Sequence, residues 1–176
     1  MTQFTDYAKN NFAVAGEQKL SHKKTPISDI VFDDSDWKSK ILLGNKNKDA
    51  RQLTISMQHY TRALHLAKKN FMDYRFQDEV PCCIVPAIVI SYLNLAQVWF
   101  DRDQKFIQRK YLISAFDFLV QQLGKLDVTN PLHEQIYQGI GKIHVELMLC
   151  LKELGDLKTL ELKEAILRNL GNISSK

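Results

Sequence analysis

Between Pro86 and Asp101 the chain reads Pro-Ala-Ile-Val-Ile-Ser-Tyr-Leu-Asn-Leu-Ala-Gln-Val-Trp-Phe-Asp, and only Ser91, Asn94 and Gln97 interrupt its apolar residues. Pro86 suits the first turn of a helix, where its missing N–H would have no partner anyway. A helix that is apolar nearly all round has to be enclosed by other elements. Ala87 to Phe100 is shorter than the roughly 20 residues a bilayer crossing needs, so the segment reads as the buried central helix of a soluble protein.

Turn-forming residues are scarce: seven Gly and four Pro in 176 residues, about half the usual usage. A β-sandwich or barrel needs more of them, so the enclosing elements are expected to be helices, in an all-α fold. Apolar residues make up 45% of the chain, enough for one core, and residues 1–176 are read as a single helical-repeat domain.

The spacing of apolar residues places the other helices. Phe4, Tyr7, Ala8, Phe12, Ala15 and Leu20 make an amphipathic segment over Phe4–Leu20. From residue 21 to 49 the period is lost among Lys, Asp, Asn and Gly, and this reads as a long surface insertion, helical for a turn or two near Trp37–Leu43. Its apolar residues, Ile30 to Phe32 and Trp37 to Leu43, are expected to fold back on the helices. Ala50–Asn70 regains a strong period through Leu53, Met57, Tyr60, Leu64 and Ala67, and 71–85 reads as a connection. Asp103 starts a further helix that Gly124 stops, and Asn130-Pro131 opens another, with Asn as cap. Gly155-Asp156 turns into the last helix, which Gly171 ends before a frayed tail, 172–176. Taken in order these are three antiparallel helix pairs: about 4–70 with the insertion 21–49, 87–124 and 131–170.

Paired helices prompt a search for a repeat near 34 residues. Tyr60-Thr-Arg-Ala63-Leu64-His-Leu66, with small Ser56 four residues before Tyr60, resembles the second helix of the tetratricopeptide repeat. Leu95-Ala96 followed by Trp99 resembles its first helix, and Gly155-Asp156 its turn. The turn at Asp101-Arg102-Asp103 lacks Gly, and Met148 stands where a small residue belongs. Over residues 4–170 the chain thus resembles a divergent tetratricopeptide-like protein, similar to small bacterial proteins of that kind. The resemblance implies a short right-handed superhelix of stacked helix pairs whose concave face holds a protein or peptide.

If Phe12-Ala13, Leu95-Ala96 and Leu147-Met148 are equivalent, the resemblance brings Tyr7, Asn10, Asn11, Asn94, Gln97, Asp101 and Lys142 to that face. A side-chain amide can hydrogen-bond a peptide backbone of any sequence, which makes Asn11 and Asn94 the leading contacts. The competing reading is that both are solvated surface polar residues, the default for Asn. Of the five positions with which some members clamp a terminal carboxylate, only Asn94 and Lys142 match, and Glu146 would repel such a ligand. A clamp is not expected.

Other function classes find little support. Three cysteines, two of them adjacent (Cys82, Cys83), are no disulfide framework, and no secretory signal opens the chain, so a cytoplasmic protein is expected. Cys82 and Cys83 read as buried at the start of the central helix and Cys150 as core. No two of the five histidines are four apart and no C-x₂-C is present, so no metal is expected. Motifs for acyl transfer, phosphate binding, dinucleotides or zinc hydrolysis are absent, which argues against an enzyme, and no cofactor is implied. The net charge of +4 is too small and too mixed for a nucleic-acid partner. The expected function is non-catalytic binding of a protein or peptide. A secretion-type chaperone for an apolar client, a homodimer and an enzyme without a known motif are its rivals.

Overall fold

A computed structural model describes residues 33–173, with side chains through Leu170. Within them the protein is all-α: α1 Ser35–Asp49, α2 Leu53–Tyr74, α3 Ile84–Asp101, α4 Lys105–Leu123, α5 Leu132–Glu153 and α6 Leu157–Ile173. Each helix packs on the next, and α3 packs also on α1 and α5. That is the enclosure its composition demands. Ile84, Val85, Ile88 and Val98 of α3 are inaccessible to solvent. By length and composition α3 could cross a membrane, yet two thirds of it lies buried inside the protein, the mark of a core helix.

The helices are joined into pairs by three turns built alike. Arg51, Asp103 and Gly155 adopt positive φ (58°, 56° and 67°), 52 residues apart each time. In the first turn the N–H of Arg51 donates to Lys48 O and that of Gln52 to Asn47 O. Asp103 and Gln104 do the same to Phe100 and Trp99, and Gly155 and Asp156 to Lys152 and Leu151. This is the Schellman arrangement, in which a left-handed residue closes the helix and satisfies its last carbonyls. Gly adopts that conformation freely and Asp tolerates it, which is why the second turn needs no glycine. The repeat unit is therefore 52 residues long, not near 34.

The register corrects the sequence reading at its N-terminal end. Residues 35–49 are not part of a surface insertion: they form four turns of helix that pair with α2, so the first unit is α1–α2. Trp37, Ile41 and Gly44, spaced four and three apart, are the only buried residues of α1. They make a narrow stripe on a helix whose other residues are mostly Lys, Asn, Asp and Ser, with Leu42 and Leu43 exposed, and packing rather than periodicity holds it in place. Trp37 Nε1 donates to Ser91 Oγ on α3 (2.9 Å), and Ser91 donates in turn to Ala87 O (2.7 Å). The segment 4–20 and residues 21–32 lie outside the described residues.

Other boundaries shift less. Helix α2 runs on to Tyr74, because Phe71 and Tyr74 continue its buried face, and the connection is 75–83. Asn130 does cap α5, its Oδ1 accepting the Leu132 N–H (2.9 Å) while its amide donates to Arg75 O (3.0 Å), which ties the two inter-pair connections together. Helix α6 runs through Gly171 to Ile173. It is held to α4 by polar contacts: Lys163, 6% exposed, pairs with Asp117, and Arg109 pairs with Asp156 and donates to Thr159 Oγ1 (3.1 Å).

Candidate functional site

On α3, Pro86, Ile90, Asn94, Gln97 and Asp101 follow one another at helical spacing; Ile90 is buried, Pro86, Asn94 and Gln97 are half-buried and Asp101 is exposed. Gln97 Nε2 donates to Asp101 Oδ1 (2.6 Å). Asn94 is half-buried, and its Nδ2 is shielded from solvent with no hydrogen-bond partner.

Helix α3 packs on both α1 and α5. Trp37 meets Ser91, 54 residues on. A Cβ on Gly139 would sit 3.0 Å from Val85 and 3.2 Å from Val89. By the 52-residue repeat, Leu42, Asn94 and Glu146 hold equivalent positions, as do Asn45, Gln97 and Leu149, and Asp49, Asp101 and Glu153. Leu42 and Leu149 are each 60% exposed. Where the starts of α3 and α5 meet, a cleft of about 60 Å³ is lined by Cys82, Val85, Pro86 and Val89 on one side and Gln135, Gln138, Gly139 and Lys142 on the other.

Charge is uneven along this face. Near the helix starts Lys38 pairs with Asp34 (2.9 Å). Near the helix ends are Asp49, Asp101, Glu146 and Glu153, of which Glu153 accepts from Lys105 (2.6 Å). Glu146 is half-buried, and burial pushes its carboxyl above the usual carboxylate range. The cleft holds no histidine beside its one thiol. Cys82 is exposed and Cys83 half-buried, where both were expected to be buried. Removal from water, with Asp34 and Cys82 adding to it, pushes the Cys83 thiol up to about 11, so it stays protonated near neutral pH. Cys150 is buried as expected. Among the described residues no group of three His, Cys, Asp or Glu could hold a metal ion.

Of the residues singled out from sequence, Asn94, Gln97 and Asp101 share one stripe of α3, and Lys142 lies across the cleft on α5. Tyr7, Asn10 and Asn11 lie outside the described residues. The 52-residue register takes from Phe12-Ala13 its place beside Leu95-Ala96 and Leu147-Met148, since one step back from Leu95-Ala96 is Leu43-Gly44. The contribution of α1, namely Leu42, Asn45 and Asp49, was thereby missed.

Three helix pairs on a 52-residue repeat, with α3 packed on the first helices of the other two, define, among the described residues, an all-α helical-pair protein. The chain belongs to the family of proteins of unknown function DUF2753, whose family model matches residues 35–173, from the first residue of α1 to the last of α6. No curated protein and no solved structure matches the chain.

Proposed function

We propose that the protein is a non-catalytic binding module of the tetratricopeptide-like kind, which takes a protein or peptide segment on the shared face of α1, α3 and α5 and uses no cofactor. The observation that carries this reading is Asn94. A shielded amide nitrogen without a partner costs free energy in the folded protein, on the order of 1–3 kcal/mol, and Asn94 Nδ2 is such an atom on the stripe of α3 that carries Gln97 and Asp101. Turned outward, the Asn94 amide would donate to a peptide backbone laid along α3, while Leu42 and Leu149, both 60% exposed, would take its apolar side chains. Because the face is built on packed helices, little ordering is left to do on binding.

The test is affinity capture from lysate of the source cell with three forms of the full chain. Wild type and Asp73→Arg, which alters an exposed residue of α2, are expected to retain the same partner, and Asn94→Arg is expected to lose it. Retention by Asn94→Arg equal to wild type would overturn the placement of the site.

A further inference from the structure

The cleft between the starts of α3 and α5 is graded from floor to rim. Val85, Val89 and Gly139 are buried and form its floor, Pro86 and Gln135 are half-buried, and Cys82, Gln138 and Lys142 are exposed at its rim. An apolar floor under a polar rim is the make-up of a side-chain pocket. Its volume of about 60 Å³ decides which side chain. A water needs about 10–15 Å³ and a benzene ring fills a cavity of about 150 Å³. The cleft therefore has room for a branched aliphatic group and none for an aromatic ring. Its rim calls for no charged ligand, since Gln138 Nε2 already donates to Glu134 Oε1 (2.8 Å) and Lys142 is engaged within the protein.

Two shielded polar atoms near it lack hydrogen-bond partners, and they are of opposite kinds. Gln135 Oε1, on a residue of the α5 wall, is an acceptor, and Asn94 Nδ2, two turns along α3 from Pro86, is a donor. A peptide backbone offers the complement of each, an N–H and a C=O. Eight residues of helix separate Pro86 from Asn94, about 12 Å, which an extended chain covers in three or four residues. Resting on the binding-module reading, we infer that the cleft is the anchor pocket of the bound segment and takes one aliphatic side chain, of the size of Val or Leu. Gln135, its amide turned toward the cleft, accepts the N–H of that residue, and Asn94 donates to the backbone three or four residues away. The segment is thus selected by the size of one apolar side chain and not by its charge.

Cys82 offers a thiol at the rim for the test. The full chain is equilibrated with small disulfides carrying an isobutyl, a benzyl or a hydroxyethyl group, against rising concentrations of 2-mercaptoethanol. The Cys82 thiolate joins one half of the disulfide and releases the other as a thiol, and peptide mass spectrometry reads how much Cys82 holds. The isobutyl group, which is the side chain of Leu, is expected to survive roughly tenfold more reductant than the other two. That preference should vanish in Gln138→Trp, whose indole covers the cleft from an exposed position. It should be absent also from Cys82→Ser with Asp73→Cys, which moves the thiol to an exposed site on α2. Equal retention of the isobutyl and benzyl groups, a preference for benzyl, or the same preference in the Asp73→Cys form overturns the inference. Capture of the partner from lysate separates the anchor from the reading it rests on. If Gln138→Trp retains the partner as wild type does while Asn94→Arg loses it, the module reading stands and the anchor falls. If Gln138→Trp loses the partner while Asn94→Arg retains it, the anchor stands and the placement of the site at Asn94 falls.

Discussion

Gly44 of α1 lies so close to the ring of Tyr60 of α2 that a Cβ at this position would come within 2.3 Å of Cε1 and 2.5 Å of Cδ1. The ring cannot swing aside. Tyr60 is wholly buried, and its hydroxyl donates to Asn45 Oδ1 (2.6 Å), one residue along from the glycine. The first helix pair is thus closed at a point where one helix has no side chain and the other a large one.

Gly44→Ala is accordingly expected to destabilise the protein. In an exposed helix the change would gain about 1 kcal/mol from propensity. Here the ring has no room, and overpacking of this kind costs roughly 1–3 kcal/mol. Chemical denaturation of Gly44→Ala, Tyr60→Leu and the double variant checks it: the double variant should be more stable than the sum of the single effects, because the smaller side chain removes the clash. Strict additivity would mean that the two residues do not meet.

The three turns predict opposite responses to glycine and alanine. Arg51 pays for a left-handed conformation that an unbranched L-residue adopts reluctantly, and Arg51→Gly is expected to raise stability by about 0.5 kcal/mol, the relief of strain less the added freedom of the unfolded chain. Gly155→Ala meets no atom within 4 Å, so only its φ of 67° matters, and a loss of about 1 kcal/mol is expected. Melting temperatures of the two variants, compared under one buffer, decide it by their signs.

How much of this was legible in the sequence differs from helix to helix for physical reasons. Helices α2, α3 and α5 bury broad apolar faces, and their periodicity announced them. Asn130 as a cap and Gly155 as a turn residue act through local backbone chemistry, which sequence carries directly. Helix α1 buries only Trp37, Ile41 and Gly44, and Lys38, Lys40, Lys46 and Lys48 hide that stripe from any reading of period. Its helicity comes from α2 and α3, and that information is tertiary. The repeat was missed for a related cause, since Leu43-Gly44 was set aside with the insertion. At the candidate site Asn94, Gln97 and Asp101 could be placed because they share a helix already found. Leu42 could not, because its helix had not been.

Trp37 measures whether α1 belongs to the core. Its side chain is 4% exposed and its Nε1 donates to Ser91. Trp37→Ala should cost about 3–5 kcal/mol, as large-to-small changes at buried aromatics do. Trp37→Phe should cost less, on the order of 1 kcal/mol, for the lost hydrogen bond and part of the ring. For a residue of a solvated loop both changes would stay within about 0.5 kcal/mol. Denaturant midpoints for the pair therefore separate a structural α1 from an appended segment, and a null result for Trp37→Ala would remove α1 from the stack.

Acid is expected to loosen the third helix pair in two stages. His144 of α5 lies against Phe116, 6.4 Å between ring centroids, with its Nε2 shielded and unpartnered. Burial lowers its pKa from the usual value, and the opposing pull of Glu164 is weaker. The folded state therefore binds the proton less well than the unfolded state. Its contribution is fully present above the ordinary histidine value of about 6.5 and is lost as pH falls through the lowered one. Asp156, at the start of α6, is also lowered, first by the hydrogen bond from Thr159 and then by Arg109. Its contribution is present above the usual carboxylate value of about 3.9 and is lost as pH falls below that through its own pKa. Denaturation across this range should show stability declining first near the histidine value and again at the acid end. His144→Gln should flatten the first slope alone, and Asp156→Asn the second, while hydrogen exchange places both losses in α5 and α6. A decline that neither variant alters would assign the acid response to other groups.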